Sequence, residues 1–453
     1  MEAANDRISD LPESLLHHIH GSLDIKEGAR TSVLSKKWNN IWRTVPTLHF
    51  SEPWQDDRPV PTADETEKFM NFVDGTLYGR NSSNVDKFIL WWDAPMSDIR
   101  VHNWITSVIR ANVKEIGLAL IQEHGLFIPL SLFTCESLIS LQVLTNPSIR
   151  LPKHIYLPRL KRLELYHFEF TNESWNEELF SSSHVLEELI LHGCIYHVRN
   201  FSISIPTLKL LKIISWARDQ NGLRDCVFEI DAPRLVTFSY SGYVAKEFVM
   251  SRFPALVEAD VNLSSADNGS AGTTQLLRAL AHVQCLTVYD NTILAMISSA
   301  LTFQNVHTLK IADNTTVQLP GVISLLQSIP NLESLIFFQY IRGEIGEYGE
   351  ANDDDSISDA SESDINEGES SYNTECLFPH LKSVWFQEFI GNQNDLKLVK
   401  WILRYAEALE MMFIRYYDIA HTGLKNPKSE EDLKAEIPSF PRASAGCVIK
   451  FYS

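Results

Sequence analysis

The chain has 453 residues, of which 44% are hydrophobic, and a formal net charge of −19 at pH 7. This length predicts two or three globular modules or one elongated repeat array, and the charge argues against broad attraction to nucleic acid or to an anionic membrane surface. The first ten residues lack a basic start and an apolar core, and no run approaches the roughly eighteen apolar residues of a spanning helix, so we expect a soluble protein of the nucleus and/or cytoplasm.

Residues 7–50 are predicted to form three short helices. Pro12 is typical of a helix start, because a proline at the first helical position loses no hydrogen bond. The first helix carries an apolar stripe with a period of four residues, made of Leu11, Leu15, Ile19 and Leu23. Asp24 and Glu27 have capping-box spacing for a second helix, and Ser35 can cap a third.

Short motifs stand in a fixed order along this segment. They are Leu-Pro-Glu-Ser-Leu-Leu at 11–16, Arg-Thr-Ser-Val-Leu-Ser-Lys-Lys-Trp at 30–38, and then Trp42 and Pro46. Together they resemble an F-box of the plant type. The resemblance implies helix-in-groove docking on a Skp-type adaptor, and through it on the cullin and RING subunits of an SCF-type ubiquitin ligase. The implied adaptor-binding residues are Leu11, Pro12, Leu15, Ile19, Leu34, Trp38 and Trp42. The alternative is that Trp38 and Trp42, four residues apart on one helix, only fill a core.

Beyond residue 50 the chain changes to a repeating pattern. Residues 51–66 are rich in proline and acids without an apolar period, which predicts a linker, and residues 67–78 are predicted to form a helix.

From 79 to 342 a strand-like unit of six residues recurs. Its first, fourth and sixth positions are apolar, and the positions between them are variable. The units begin at Val85, Val113, Leu138, Leu160, Leu186, Leu208, Leu235, Leu256, Val283, Val306 and Leu332. From Leu138 onward they start every 21 to 27 residues, which is the spacing of leucine-rich repeats.

A single unit of this kind cannot bury its own apolar face, so stacked units must form the core. We therefore predict the α/β class, with a degenerate leucine-rich-repeat horseshoe of parallel strands. The residue between the last two apolar positions should point to the concave side, because side chains alternate along a strand. This rule predicts a row of candidate substrate-binding residues, Glu164, Ile190, Lys212, Lys310, Ile336 and Trp385, together with Gln142, Ser239, Asp260 and Thr287. We expect the charged members to be exposed; the alternative for Ile336 and Trp385 is that a neighbouring loop or the C-terminal region covers them.

Residues 343–375 interrupt the repeats. They contain twelve acidic residues and no lysine or arginine. Such a composition predicts a disordered acidic insert. Ser356 and Ser361 each have an aspartate three residues downstream, which would suit an acid-directed kinase; the alternative is a plain solvated loop.

The C-terminal region, residues 376–451, returns to strand and helix signals. A strand unit at 377–386 is followed by helical spacing from Leu396, a further strand unit that starts at Leu409, and the segment Cys447-Val448-Ile449-Lys450-Phe451. This stretch resembles the FBD module of plant proteins. The order of F-box, leucine-rich repeats and FBD resembles one plant family, the F-box/FBD/LRR-repeat proteins.

The sequence offers no signal for catalysis, a metal or a cofactor. The six cysteines lie far apart without a C-x-x-C pair, which favours reduced thiols, and no phosphate-binding loop or catalytic motif is present. The family resemblance instead implies a non-catalytic receptor subunit that binds an unknown protein substrate. Two alternatives stay open, a scaffold without a degradation role and a sensor that encloses a small ligand.

Overall fold

The computed structural model divides the chain into two compact units, residues 1–256 and 257–453. The described residues are 11–21, 25, 30–31, 38, 45–51, 59–80, 84–122, 128–152, 155–171, 184–215, 222–264, 270–313, 319–339, 378–417 and 429–452. The acidic insert predicted at 343–375 and most of the second and third predicted F-box helices lie outside these residues.

The first unit contains helices and strands in the following order. The helices are α1 Glu13–Gly21, α2 Ala63–Tyr78 and α3 Asp98–Arg110, with short 3-10 helices at Leu130–Thr134 and Leu223–Asp225. The strands are β1 Thr47–Phe50, β2 Lys87–Trp92, β3 Glu115–Ile121, β4 Ser140–Arg150, β5 Arg162–Thr171, β6 Glu188–His192, β7 Ile195–His197, β8 Asn200–Ser204, β9 Leu210–Ile214, β10 Val227–Asp231, β11 Thr237–Gly242 and β12 Glu247–Met250.

One parallel sheet runs through this unit. Its strand order is β1, β2, β3, β4, β5, β6, β9 and β11. The predicted units supply β2 to β6, β9 and β11, and their apolar positions face the core; Leu138, Leu141 and Val143, for example, are fully buried. The predicted parallel stacking of repeats is therefore confirmed.

Proline turns precede several of the repeat strands. The Leu160 N–H donates to the Leu157 carbonyl at 3.1 Å, with Pro158 at the second position of the turn. Proline suits that position because its ring fixes the backbone angle that the turn requires. The same bond closes the turns Ile205-Pro206-Thr207-Leu208, Ala232-Pro233-Arg234-Leu235 and Phe253-Pro254-Ala255-Leu256.

The layer behind the sheet changes from helix to strand along the first unit. At its start, α2 packs on the sheet through Phe69, which stacks on Trp92 with ring centroids 4.0 Å apart. Further on, β8, β10 and β12 form a separate parallel sheet, held by contacts among the buried rings of Phe201, Phe228 and Phe248. The repeat pattern does not predict these outer strands, although their alternation of apolar and polar residues is a strand signal.

The second unit repeats the arrangement with helices in the outer positions. Its strands are β13 Glu258–Leu263, β14 Cys285–Tyr289, β15 Thr308–Asp313, β16 Ser334–Gln339, β17 Ser383–Phe389, β18 Met411–Tyr416 and β19 Val448–Tyr452. Its helices are α4 Ala271–Leu280, α5 Asp290–Ser299, α6 Leu319–Gln327, α7 Gln393–Tyr405 and α8 Glu430–Glu436, with a short 3-10 helix at Ile437–Ser439. Each strand pairs in parallel with the next, from β13 to β19. The predicted α/β class with parallel repeat strands is confirmed.

The strands of the predicted FBD region belong to the same sheet as the repeats before them. Strand β16 precedes the acidic insert and β17 follows it, yet the two are direct neighbours, with Ser334 paired to Ser383 and Phe337 to Phe386. The domain limits at 342 and 376 thus stay a sequence prediction, because no break in hydrogen bonding marks them.

One predicted boundary differs from the structure. Helix α2 begins at Ala63, four residues before the predicted start at 67. Thr62 caps it: the Thr62 hydroxyl accepts from the Glu65 N–H, and the Glu65 carboxylate accepts from the Thr62 N–H at 2.8 Å. This capping box satisfies two backbone donors within a segment whose proline content favoured a linker.

Candidate functional site

Helix α1 presents an apolar strip on its exposed side. The Leu15 and Ile19 side chains are 48% and 39% exposed, and Pro12 is also exposed. Residues four apart lie on the same side of a helix, so Leu15 and Ile19 form one continuous patch. Leu16 points the opposite way and is fully buried. The exposed strip is therefore not required to fill the core beneath α1.

The core beneath α1 contains Trp38. Its side chain is only 2% exposed and packs with Leu16 and Val45, and Leu11 packs against this cluster. The structure thus places Trp38 where the core-filling alternative puts it, and places Leu11 at the edge of the core. Leu34 and Trp42 lie outside the described residues. The seven adaptor-binding residues as a set stay a prediction.

The open face of the sheet, defined as the side opposite the buried leucines, carries the predicted row of substrate-binding residues. In the first unit the paired positions are His49, Ile89, Gly117, Gln142, Glu164, Ile190, Lys212 and Ser239. In the second unit they are Asp260, Thr287, Lys310, Ile336, Trp385, Phe413 and Lys450. We call these the central row. Within each unit, the strand register brings the predicted residues together; whether they bind a substrate stays a prediction.

The central row is longer than the sequence predicts. His49, Ile89, Gly117, Phe413 and Lys450 are additional members. The same rule could have found His49, because Val45, Leu48 and Phe50 fit the repeat pattern at the end of the F-box segment. The structure shows that β1 is the first strand of the sheet.

Glu164 corrects the expectation that the charged members of the row are exposed. The residue is only 5% exposed, because its neighbours enclose the carboxylate. The Arg162 Nε–H donates to Glu164 Oε1 at 2.5 Å, and the Tyr166 hydroxyl donates to Oε2 at 3.0 Å. Arg162 also donates to the Glu188 carboxylate. Glu164 is thus the centre of a polar network within the protein.

Two ionisable groups here, Tyr166 in the network and His192 beside it, have shifted pKa values. Burial, and then the charge of Glu164 and the hydrogen bond to it, raises the pKa of Tyr166 to about 12. His192 packs edge-on against the Tyr166 ring at 5.1 Å between centroids. Burial, assisted by His167 and Lys212, lowers the pKa of His192 to about 4. Both side chains are therefore neutral at pH 7.

The central row of the second unit combines one ion pair with a run of apolar residues. Lys310 Nζ lies 3.0 Å from a Glu258 carboxylate oxygen, so each charge has a partner. Ile336 is half-buried, whereas Trp385 is 37% exposed and stacks on Phe413 with centroids 3.7 Å apart. Phe413 belongs to the predicted FBD region. Trp385 belongs to the same region, so the region covers part of this side chain, as the alternative proposes, but leaves the residue 37% exposed.

The described residues contain no cluster of metal ligands, and the depression found among them is smaller than the usual site for a ligand. Within them, no group of three His, Cys, Asp or Glu side chains could hold a metal ion. A surface depression of about 270 Å³ is lined by Phe378, Pro379, Tyr405, Glu407 and Ala408, none of which belongs to the central row. Ligand sites are commonly about 300–1,000 Å³ and deeply concave. Among the described helices, none is long and apolar enough to cross a membrane.

The parallel repeat strands that start at β1 define a leucine-rich-repeat protein, and the segment before them carries the F-box motifs. Comparison with known families agrees. An F-box domain model matches residues 8–50, and the model described as At1g61320/AtMIF1, LRR domain, matches residues 84–432.

Curated proteins of Arabidopsis thaliana are similar along most of the chain. A putative F-box/LRR-repeat protein is 31% identical over 366 residues, which cover 73% of this chain and 74% of the relative. A putative F-box/FBD/LRR-repeat protein is 28% identical over 440 residues, or 93% of this chain and 86% of the relative. The chain belongs to the plant F-box/LRR-repeat family. Members of this family generally serve as non-catalytic substrate adaptors of SCF ligases, and the F-box generally binds a Skp-type adaptor.

Proposed function

We propose that this protein is a substrate-recognition subunit of an SCF-type cullin–RING ubiquitin ligase. Helix α1 docks on the Skp-type adaptor, and the open face of the sheet holds the protein to be ubiquitylated. The observation that carries the proposal is the exposed Leu15 and Ile19 pair, within a segment that matches the F-box domain model. The protein supplies binding surfaces, and the partners supply the chemistry. Such a subunit would act in the nucleus and/or cytoplasm.

The apolar strip of α1 suits helix-in-groove recognition. Moving one such side chain out of water is worth roughly 1.5–3 kcal/mol, so Leu15 and Ile19 together can supply a large share of the affinity. Pro12 extends the strip at its N-terminal end. Trp38 contributes indirectly, because its contacts with Leu16 fix the position of α1.

The open face of each unit suits a protein target because its side chains are chemically varied. The row in the first unit includes half-buried Ile190 and Lys212, and the row in the second unit includes Ile336 and Trp385. Lys310 and Glu164 are already paired with Glu258 and Arg162 of this chain. Their charges therefore hold neighbouring side chains in place more than they attract a partner.

Purified components test the docking half of the proposal. The double variant Leu15→Asp/Ile19→Asp should lose adaptor binding by at least about tenfold, because two carboxylates would be buried in an apolar groove. Its circular-dichroism spectrum and melting temperature should match those of the wild type, since both side chains are exposed. Undiminished adaptor binding by this variant would refute the assignment.

A matched control introduces the same charges elsewhere. Tyr78 and Ile99 are apolar residues that are exposed on α2 and α3. Tyr78→Asp/Ile99→Asp should therefore leave adaptor binding unchanged. Trp38→Ala should lower stability and binding together, because it empties the core that supports α1.

A further inference from the structure

The open face of the last three strands carries an aromatic and cationic surface. We define the C-terminal platform as Trp385, Met411, Phe413, Arg415, Lys450 and Tyr452. These side chains belong to β17, β18 and β19, and the register pairs Trp385 with Phe413, Phe413 with Lys450, and Arg415 with Tyr452. They therefore form one contiguous patch.

The platform is ordered by contacts among its own rings. Trp385 stacks on Phe413 at 3.7 Å, and the Tyr452 ring centroid lies 5.7 Å from that of Phe413. Lys450 Nζ lies over the Phe413 ring, 5.8 Å from its centroid. Phe413 is thus enclosed from several sides, while Trp385, Met411 and Tyr452 keep exposed apolar area.

The fold of these strands does not need the exposed rings. The opposite side of β17 and β18 forms the core, where Val384, Met412 and Ile414 are almost completely buried. Aromatic rings left in water on the other face gain nothing from that core. A contiguous, partly exposed apolar patch on a folded surface typically marks a contact with another molecule.

The charge of the platform is opposite to that of the whole chain. Its two cations, Arg415 and Lys450, are exposed, and no described carboxylate forms an ion pair with either. Of the nearby acids, Glu410 precedes β18 and lies by Lys382, and Glu388 lies at the register shift of β17. Elsewhere on the open face, Lys310 is paired with Glu258, as described above. Two cations that have no carboxylate partner among the described residues, in a chain of net charge −19, favour an acidic partner.

We propose that the C-terminal platform binds a protein segment in which a large apolar side chain is flanked by aspartate or glutamate. The apolar side chain packs on Trp385, Met411 and Tyr452, and the flanking carboxylates pair with Arg415 and Lys450. Segments with basic flanks are rejected by like charge. The inference rests on the proposed function, because it names the class of target segment that the open face would hold.

The test applies the full chain, with and without a Skp-type adaptor, to an array of random twelve-residue peptides. The expected result is that bound peptides are enriched in Phe, Trp or Leu with Asp or Glu within three residues. Trp385→Ala and Arg415→Glu/Lys450→Glu should each weaken capture of these peptides by at least about tenfold, in line with hot-spot truncations. The charge reversals change only exposed groups, so they remain informative if Trp385→Ala fails to fold.

Matched controls separate the platform from general effects. Trp91 on β2 is exposed to a similar degree, 42%, on the open face of the first unit. Lys397 and Lys400 are exposed on α7. Trp91→Ala and Lys397→Glu/Lys400→Glu should therefore capture the same peptides as the wild type.

Several results would overturn the proposal. The array could bind no peptide, the bound peptides could be enriched in basic flanking residues, or the platform variants could capture the peptides as well as the wild type does; each of these results contradicts the proposal. If removal of residues 343–375 tightened peptide capture, the platform would be occupied by this chain's own acidic segment. If the chain formed dimers that the charge reversals separate, the platform would bind a second copy of the chain. Adaptor binding, measured on the same samples, reports on α1 alone, so its loss would count against the proposed function and not against the platform.

Discussion

Glu164 shows how neighbouring side chains decide the role of a residue in the row. Its position on the strand is the one that the repeat rule predicts, but Arg162 and Tyr166 enclose it from the same strand. A buried carboxylate that has hydrogen-bonded partners is a structural element, and replacing it leaves those partners without their acceptor.

We therefore expect Glu164→Lys to destabilise the protein. Breaking a fully buried ion pair costs about 3–5 kcal/mol, and a value of about 2 kcal/mol or more is expected here because the Arg162 side chain is 46% exposed. The urea unfolding midpoint measures the loss. Lys212→Glu, the matched reversal two strands away, should change stability by less than about 1 kcal/mol. Equal effects of the two reversals would contradict the network.

His192 should make stability depend on pH. Its pKa of about 4 in the folded protein lies below the value of 6.5 expected for the unfolded chain, because burial and the nearby His167 and Lys212 disfavour the imidazolium. The unfolded state therefore binds this proton first as the pH falls. The contribution is fully present above pH 6.5 and decreases toward pH 4, by roughly 3 kcal/mol at most.

The comparison with His192→Gln isolates this residue from the carboxylates that titrate in the same range. The wild type should lose more stability between pH 6.5 and 4 than the variant does, as measured by urea unfolding at each pH. Parallel curves for the two proteins would show that His192 is not the group responsible.

At the scale of elements, the strands were more predictable than the layer behind them. A strand buried on its core side repeats leucines at fixed positions, so β4, β5 and β6 could be read from spacing alone. The outer strands β8 and β10 have no such repeat, and only their short alternation of apolar and polar residues marks them. The start of a helix depends on the geometry of its capping side chains, as Thr62 and Glu65 show. Residue type alone does not determine that geometry.

Helix α7 provides a test of such a cap. The Asn392 side chain accepts from the Asp395 N–H at 2.8 Å, and the Asp395 carboxylate accepts from the Asn392 and Gly391 N–H groups. Asn392→Ala should lower the unfolding free energy by about 1 kcal/mol and speed hydrogen exchange in the first turn of α7. The neighbouring Gln393→Ala should have little effect, since Gln393 is exposed and not the cap. Unchanged exchange in Asn392→Ala would refute the role of the cap.

At the scale of the whole molecule, the sequence located the open face but not its chemistry. Register follows from the repeat, so the members of the central row were predictable within each unit. Burial and pairing depend on residues that are distant in sequence, and the enclosure of Glu164 and the stacking of Trp385 on Phe413 therefore could not be read from spacing. The same limit applied to Trp38, whose burial depends on Leu16 and Val45.

The acidic insert should be dispensable for folding. Strands β16 and β17 pair directly across it, and loop-closure entropy changes by only about 0.6 kcal/mol for each doubling of loop length. Replacement of residues 346–372 by a brief Gly/Ser link should therefore leave the melting temperature within about 2 °C of the wild type. A loss of several degrees would show that these residues pack on the folded protein.

The most direct measurement of the central claim is affinity purification of the tagged protein from plant cells, with and without a proteasome inhibitor. Two quantities are measured, the amount of cullin and the abundance of each co-purifying protein. We predict that the wild type retains cullin and that at least one partner accumulates under inhibition. Leu15→Asp/Ile19→Asp should lose the cullin but keep that partner without inhibitor. Absence of cullin from the wild type, or equal cullin on the variant, would contradict a role as a ligase receptor.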